Sequence, residues 1–529
     1  MPANVTSRRR KVLPIVLAIL DGWGVAPGKR QLDDASAIAQ TPFLAELNKH
    51  YPRALLKASG EAVGLPKGQD GNSEAGHMNL GAGRVVEQDA VYISRTIKDG
   101  TFFKNSAFLT AIEHARKRRS SLHLMGLMSN YNSGHSSPDH FMALLKLAQA
   151  QRVKKLFIHF FTDGRDSPKY DAVKFLSEVR KRFRNGEIIA SLTGRFYAMD
   201  RKKDWSRTGR TYELLTRGRG IAEVSPEVAL RHAYNRGESD EYISPTIITD
   251  SRHHPRGLIR DHDSVIFFNL RSDRARQMAK PFVQPTFERM NPGAFKRAKF
   301  MKDLCFVALT DFGPDLGNIL TAFPSRDVKN TLPMMLRGHR QLYVAESEKF
   351  AHITYFFNGG YDQPVAGEER VMVPSPDVPS YDATPAMSAA QITQVVLRSL
   401  KRRKYDFIAL NFANADMVGH TGNLRAGVLA METLDACLAK IGRAVKAQHG
   451  TLMITADHGN VEEFINRDTG EVDTEHSINP VMCLLYHAAW RGKAFARKLG
   501  VLGDVAPTIL DLMGLMKPRE MTRRSLLKR

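Results

Sequence analysis

Two short stretches of the 529-residue chain pair a carboxylate with an imidazole. "NADMVGHTG" sets Asp416 and His420 four residues apart, and "TADHGN" puts Asp457 beside His458 directly after an apolar run. Carboxylate oxygen together with imidazole nitrogen suits Mn²⁺ or Zn²⁺, and one such site can hold a pair of ions. Either stretch alone is also what a surface helix or a turn presents. With Asp21 in "LDGWG" upstream and His476 in "TEHSINP" downstream, the four stretches read as a two-metal centre drawn from both ends of the chain. A serine hydroxyl is a poor nucleophile until a base or a metal lowers its pKa. Ser73, inside "GQDGNSEAGHMNLGAGR", is the residue such a centre would activate for attack on phosphorus. That segment shows neither helical nor strand periodicity. It reads as a glycine-rich loop whose backbone N–H groups approach phosphoryl oxygens without a Cβ clash.

The middle of the chain carries a different set: Arg165 and Asp166 in "TDGRDS", Arg195 and Arg201 in "TGRFYAMDR", Arg271 and Arg274 in "NLRSDRAR". The carboxylates beside these five arginines in the sequence are Asp166, Asp200 and Asp273, fewer than a structural salt-bridge network would call for. Guanidinium forks bind phosphate and carboxylate through two parallel hydrogen bonds, so the ligand expected here is a small polyanion.

The elements that must position these residues are visible as apolar, β-rich runs that stop at polar loops. "PIVLAIL" ends at Asp21, "SLHLMGLMS" at Asn130, "KLFIHFF" at Asp163, "SVIFFNL" at Arg271, "FIALNFA" at Asn414 and "TLMITA" at Asp457. Amphipathic stretches such as "AVKFLSEVRKRF" and "AAQITQVVLRSLKRR" separate them, which predicts an α/β protein with mainly parallel sheets. Open α/β sheets bind ligands just past the carboxyl ends of their strands, where these polar residues fall. A length of 529 residues calls for two or more domains. Because the metal-type residues come from both ends and the arginines from the middle, the middle reads as an inserted domain.

Composition narrows the function classes. "RRRKVLPIVLAIL" has the basic flank and apolar run of a secretory signal but no small-residue cleavage site, and it reads as a buried strand. No apolar stretch approaches the roughly 18 residues that span a bilayer, so a soluble protein is expected. Three scattered cysteines, Cys305, Cys437 and Cys483, lie in no CxxC spacing and fit a reducing cytoplasm. A net charge of +22 favours anionic partners. Its basic runs at 7–11, 116–119, 180–184 and 401–404 lack interleaved aromatics and read as solvated faces, which argues against nucleic acid or membrane binding as the main function.

In order along the chain, "GQDGNSEAGHMNLGAGR", "DGRD", "GRFYAMDR", "RSDRA", "AESEKFAH", "NADMVGHTG", "TADHGN" and "EMTRRSL" resemble the cofactor-independent (2,3-bisphosphoglycerate-independent) phosphoglycerate mutases of the alkaline phosphatase superfamily. The resemblance runs from near residue 12 to the C-terminus. It implies a two-domain α/β fold: an alkaline-phosphatase-like α/β/α sandwich from residues 1–88 and 324–529, with an α/β transferase domain inserted at 91–321. Ser73 is implied as the nucleophile that becomes phosphoserine. One ion is implied at Asp21, Ser73, Asp457 and His458, the other at Asp416, His420 and His476. The substrate is implied against His135, Arg165, Asp166, Arg195, Arg201, Arg271, Arg274 and Lys349. Asp166 is implied as general acid/base and Lys349 as a charge neutraliser.

The implied activity is a ping-pong interconversion of 3-phosphoglycerate and 2-phosphoglycerate in glycolysis and gluconeogenesis. It requires two divalent ions, foremost Mn²⁺ with Zn²⁺, Co²⁺ or Mg²⁺ in competition, in a cytoplasmic monomer. Domain closure is implied as well, since water would otherwise intercept the phosphoserine. The alternative is a metal-dependent phosphatase or another phosphomutase of the same superfamily; a simple phosphatase would not need five arginines to hold an anionic leaving group. Three departures from the family pattern stand out. "SNYNSGHSS" replaces Ser-Asp-Gly-Gly-Val-His-Ser-His, which lengthens the loop carrying His135 by one residue and puts Ser137 where a histidine is usual. Asp33 and Asp34 replace a Gly-Asn pair, and Ala415 replaces a proline. Altered loop geometry without loss of the reaction class is expected. The tail "MPANVTSRRR" has no counterpart in the pattern.

Overall fold

The computed structural model describes residues 14–28, 33–131, 133–466 and 469–528, and the basic N-terminal tail lies outside them. The chain divides into two compact units, Met1–Gln88 with Arg326–Arg529, and Asp89–Ser325. The first unit opens with β1 (Ile15–Leu20) and β2 (Arg53–Lys57). The second holds β3 (Leu122–Met128), β4 (Leu156–Thr162), β5 (Ile188–Gly194), β6 (Ile221–Glu223), β7 (Thr246–Ile248), β8 (Ser264–Phe267), β9 (Cys305–Thr310) and β10 (Leu320–Phe323). The chain then returns to the first unit for β11 (Gln341–Glu346), β12 (Glu369–Val373), β13 (Phe407–Phe412), β14 (Thr451–Thr455), β15 (Val481–Tyr486) and β16 (Leu499–Val501).

The first unit's sheet runs β12-β11-β13-β1-β14-β15-β2-β16. Every residue of β1 is buried, as a central parallel strand covered on both faces requires. The apolar run near the N-terminus is therefore a core strand. β1 lies parallel to β13 and β14, with Ile19 opposite both Asn411 and Thr455. That register brings the loops carrying Asp21 and Asp457 and the short helix Asn414–Gly419 carrying Asp416 out of the carboxyl ends of three adjacent central strands. Among the described residues, only the strand pairs β14–β15 and β15–β2 in this unit are antiparallel.

The second unit's sheet runs β10-β9-β8-β3-β4-β5-β7-β6 and is parallel except at β5–β7. Along β3, Leu122 and Leu124 pack into one apolar cluster, whereas Met125 and Leu127 pack into another. The sheet is thus covered on both faces. Asp163 follows β4, Arg195 follows β5 and Arg271 follows β8, all at the same edge of adjacent parallel strands. The architecture is α/β in both units. Among the described residues no helix is long and apolar enough to cross a membrane.

One expectation fails here. The segment around Ser73 is not a loop: Ser73–Ala82 is a ten-residue helix, capped by the Asn72 side chain, which accepts from the Ala75 N–H at 2.9 Å. It shows no amphipathic period because almost its whole circumference is buried. Its glycines serve close packing and not the exposure of N–H groups. A Cβ on Gly76 would stand 2.6 Å from the Asp457 carbonyl oxygen, and one on Gly81 1.9 Å from that of Phe357.

Candidate functional site

In the first unit, the residues named from both ends of the sequence converge. Ser73 Oγ, on the first turn of its helix, lies 3.1 Å from Asp21 Oδ1 and 2.9 Å from His458 Nε2. Lys349, from the turn after β11, donates to Ser73 Oγ at 2.8 Å and sits 2.7 Å from Asp21 Oδ1 and 2.6 Å from Asp416 Oδ2. His476 Nε2 and His420 Nε2 approach Asp416 Oδ1 to 3.1 and 3.3 Å. His458 Nε2 lies 3.6 Å from Asp457 Oδ2 and 3.4 Å from Asp21 Oδ1. All are buried apart from His420 and His476. Asp416 with His420 and His476, and Asp21 with Asp416 and His458, form groups whose ligand atoms fall within 4.8 Å of one another.

The donor set fits divalent cations. His420, His458 and His476 each hold Nδ1 against a backbone carbonyl, that of Thr474 at 2.6 Å, Gly459 at 3.2 Å and Gly71 at 2.9 Å. Each therefore turns Nε2 toward the carboxylates, the arrangement by which outer hydrogen bonds orient metal-ligating histidines. Asp457 Oδ2 is buried without a hydrogen-bond partner among the described residues. Burial works against the Asp21 and Asp416 carboxylates, but the Lys349 ammonium beside them holds both well below the usual range. Burial also opposes charge on His458, yet Asp457 and Asp21 push it up to about 10. The pocket demands positive charge at that Nε2, which a proton or a metal ion supplies.

In the second unit, the buried Arg195 spans Asp163 and Asp166, reaching Asp166 Oδ2 at 2.9 Å. Ser133 Oγ donates to the same Asp166 oxygen at 2.7 Å and accepts from the His135 N–H at 3.1 Å. The loop that departs from the family pattern is thereby tied to Asp166. His135 Nδ1 is buried without a partner among the described residues. Burial, then Arg195 and Arg271, push His135 down to about 4. Arg274 is lowered by burial and by Arg195, Arg201 and Arg165, so these cations share one electrostatic neighbourhood. Arg201 and Arg271 flank Asp273 at 3.1 and 3.6 Å, with their side chains half exposed.

The sequence reading missed several partners here. Asp163 and Glu241, 3.9 Å from Arg165, join Asp166 and Asp273 among the arginines, so the cationic surplus is smaller than linear proximity implies. Asp200 belongs elsewhere, pairing with Arg207 and capping the turn at Lys202 and Asp204. The place of Asp163 at the end of β4 was the available signal. For Ser133 there was none.

Residues 13–517 match the Metalloenzyme superfamily. A 2,3-bisphosphoglycerate-independent phosphoglycerate mutase 1 of Methanosarcina acetivorans is 47% identical over 97% of this chain and 98% of its own. A 2,3-bisphosphoglycerate-independent phosphoglycerate mutase of Moorella thermoacetica is 45% identical, with the same coverage of 97% and 98%. Among solved structures, Leishmania mexicana phosphoglycerate mutase at low cobalt concentration is similar with a TM-score of 0.75 and 29% identity, covering 98% of each chain. With identities this high over nearly the full length, the chain belongs to the 2,3-bisphosphoglycerate-independent phosphoglycerate mutase family of the metalloenzyme superfamily.

Proposed function

We propose that this chain interconverts 3-phosphoglycerate and 2-phosphoglycerate without bisphosphoglycerate, through a phosphoserine at Ser73. The observation that carries the reading is the meeting of Lys349 Nζ, Asp21 Oδ1 and His458 Nε2 on Ser73 Oγ, at 2.8, 3.1 and 2.9 Å. Asp21, Ser73, Asp457 and His458 would hold one divalent ion, and Asp416, His420 and His476 the other, with Mn²⁺ ahead of Zn²⁺, Co²⁺ and Mg²⁺. Such ions lower the pKa of a coordinated hydroxyl and take up charge on phosphoryl oxygens.

The chain's own residues do the rest. The Ser73 helix presents Oγ at its N-terminus, where the positive end of the helix dipole favours a phosphoryl group. Lys349 donates to Oγ and neutralises charge as it develops. Arg165, Arg195, Arg201, Arg271 and Arg274, with His135, hold the carboxylate and hydroxyl-bearing body of the glycerate while the phosphoryl group is on Ser73. The P–O bond moves from one glycerate oxygen to Oγ and then from Oγ to the other. Asp166 exchanges the proton between those two oxygens; Arg195 and Ser133 hold it in place and, against burial, keep it below the usual carboxylate range. In this reading the first unit is the phosphatase-like metal-binding domain and the second the transferase domain. The free thiols of Cys305, Cys437 and Cys483 support a cytoplasmic setting, and a monomer follows from the family resemblance.

Incubating metal-loaded protein with 3-phosphoglycerate and separating 2-phosphoglycerate from free phosphate tests the reading. Mutase product is expected, and Ser73→Ala abolishes it with the fold intact. Substantial mutase activity in that variant removes the nucleophile assignment, and predominant phosphate release makes the protein a phosphatase.

A further inference from the structure

His77 lies one turn into the Ser73 helix and is fully buried. One of its nitrogens stands within 4.8 Å of ligand atoms of Asp21 and Asp457, so by proximity it is a further candidate ligand. Its hydrogen bonds give it a different task. Asn411, buried on β13 opposite Ile19 of β1, donates from Nδ2 to Asp21 Oδ2 at 2.7 Å. An ionised carboxylate only accepts, which settles which end of this amide is the NH₂. The same Nδ2 lies 3.0 Å from His77 Nε2, so Nε2 accepts and the ring proton sits on Nδ1. Nδ1 then donates to the Ser73 carbonyl at 2.9 Å. Asp457 Oδ2 is 3.0 Å from Nδ1 but off the N–H direction, which leaves it without a hydrogen-bond partner.

We infer that His77 and Asn411 are positioning residues that join the Asp21 carboxylate to the backbone of the nucleophile and wall the Asp457 carboxylate into place; the inference rests on the two-ion reading above. His420, His458 and His476 keep Nε2 turned toward carboxylates, whereas His77 uses its Nε2 lone pair on Asn411. Coordination by His77 would require giving up that bond. The pair instead hydrogen-bonds the Asp21 carboxylate, packs against that of Asp457 at 3.0 Å and holds the carbonyl of Ser73 in register with them. Outer partners of this kind typically change metal affinity about 10- to 100-fold when removed.

Co²⁺ titration of the metal-stripped full-length protein, followed by visible absorption and calorimetry, tests this on the parent and on His77→Phe, His77→Asn and Asn411→Leu. The parent is expected to bind two ions; failure to do so overturns the two-ion reading itself. His77→Phe and Asn411→Leu should each weaken one ion by about 10- to 100-fold and leave the other nearly unchanged. His77→Asn restores a donor near Nδ1 and should recover most of the loss, and mutase kcat should fall in His77→Phe at constant KM. Equal weakening of both ions, or of neither, overturns the inference. Complete loss of one ion in both His77 variants, with a changed visible spectrum, makes His77 a ligand and overturns it as well. If His77→Phe does not fold, Asn411→Leu reads the same linkage from its other end.

Discussion

Replacing Gly76 with alanine adds one methyl group where the structure leaves no room for one. The new Cβ would stand 2.6 Å from the Asp457 carbonyl oxygen, 2.7 Å from Asp457 Cβ and 3.0 Å from its carbonyl carbon. Ordinary contact begins near 3.4 Å, so the helix and the Asp457 loop must part by roughly 0.8 Å. The obstacle is backbone on both sides, so no rotamer change relieves it. Alanine gains about 1 kcal/mol over glycine in helix propensity, against about 1–3 kcal/mol for overpacking. Net stability therefore falls by about 2 kcal/mol at most. Catalysis should suffer more, because a misplacement of about 1 Å between reacting groups costs on the order of 100-fold. The assay is mutase kcat with a melting curve and a metal titration, alongside Gly68→Ala as the control. Gly68 lies in the same segment at φ +78°, and its Cβ would meet nothing within 4 Å. That control carries only the left-handed backbone strain of about 1–2 kcal/mol and should keep its kcat. If Gly76→Ala retains kcat within about twofold, the close approach between the Ser73 helix and the Asp457 loop does not set the geometry of the centre, and the packing argument fails.

Three further outcomes are expected. Arg195→Met leaves the buried Asp163 without its counter-ion and should cost about 3–5 kcal/mol in urea unfolding, with partial recovery in the Asp163→Asn double variant; an unchanged midpoint contradicts the pairing. His140 is fully buried beside Ser94 and is pushed down to about 4 by burial, so the unfolded chain binds its proton first. Stability from this group is complete above its unfolded pKa of about 6.5 and is lost as pH falls toward its folded value, about 2 kcal/mol of it by pH 5. His140→Leu should shrink the fall in unfolding free energy between about pH 8 and about pH 5 by that amount, and an unaltered pH slope refutes it. Chelation should abolish turnover and lower Tm, since an ion at about 100 times its Kd adds about 2.7 kcal/mol; a Tm indifferent to metal contradicts the donor-set argument.

The strands were legible before folding because a strand buried on both faces has to be a continuous apolar run, as in "IVLAIL" and "FIALNF". So were the residue types just past their ends, since a buried sheet can show polar chemistry only where the chain leaves it. The Ser73 helix was not legible. A periodic pattern records an exposed face, and this helix is covered nearly all round, by the Asp457 loop, by residues 352–357 and by the helical segment at 502–512. Lys349 had no local signature beyond family resemblance, because its meaning lies in Asp21 and Asp416, which are far from it in the sequence and lie in opposite directions. Asn411 and Ile19 were read only as strand interior, yet their register turns an amide toward Asp21 and His77. The bond from the Gly22 N–H to Asp457 Oδ1, 3.2 Å long, joins residues 435 apart. Residue type is local, but a distance of 3 Å across such a separation exists only once parallel strand pairing has set the register, and that is why the chemistry of this centre belongs to the folded chain.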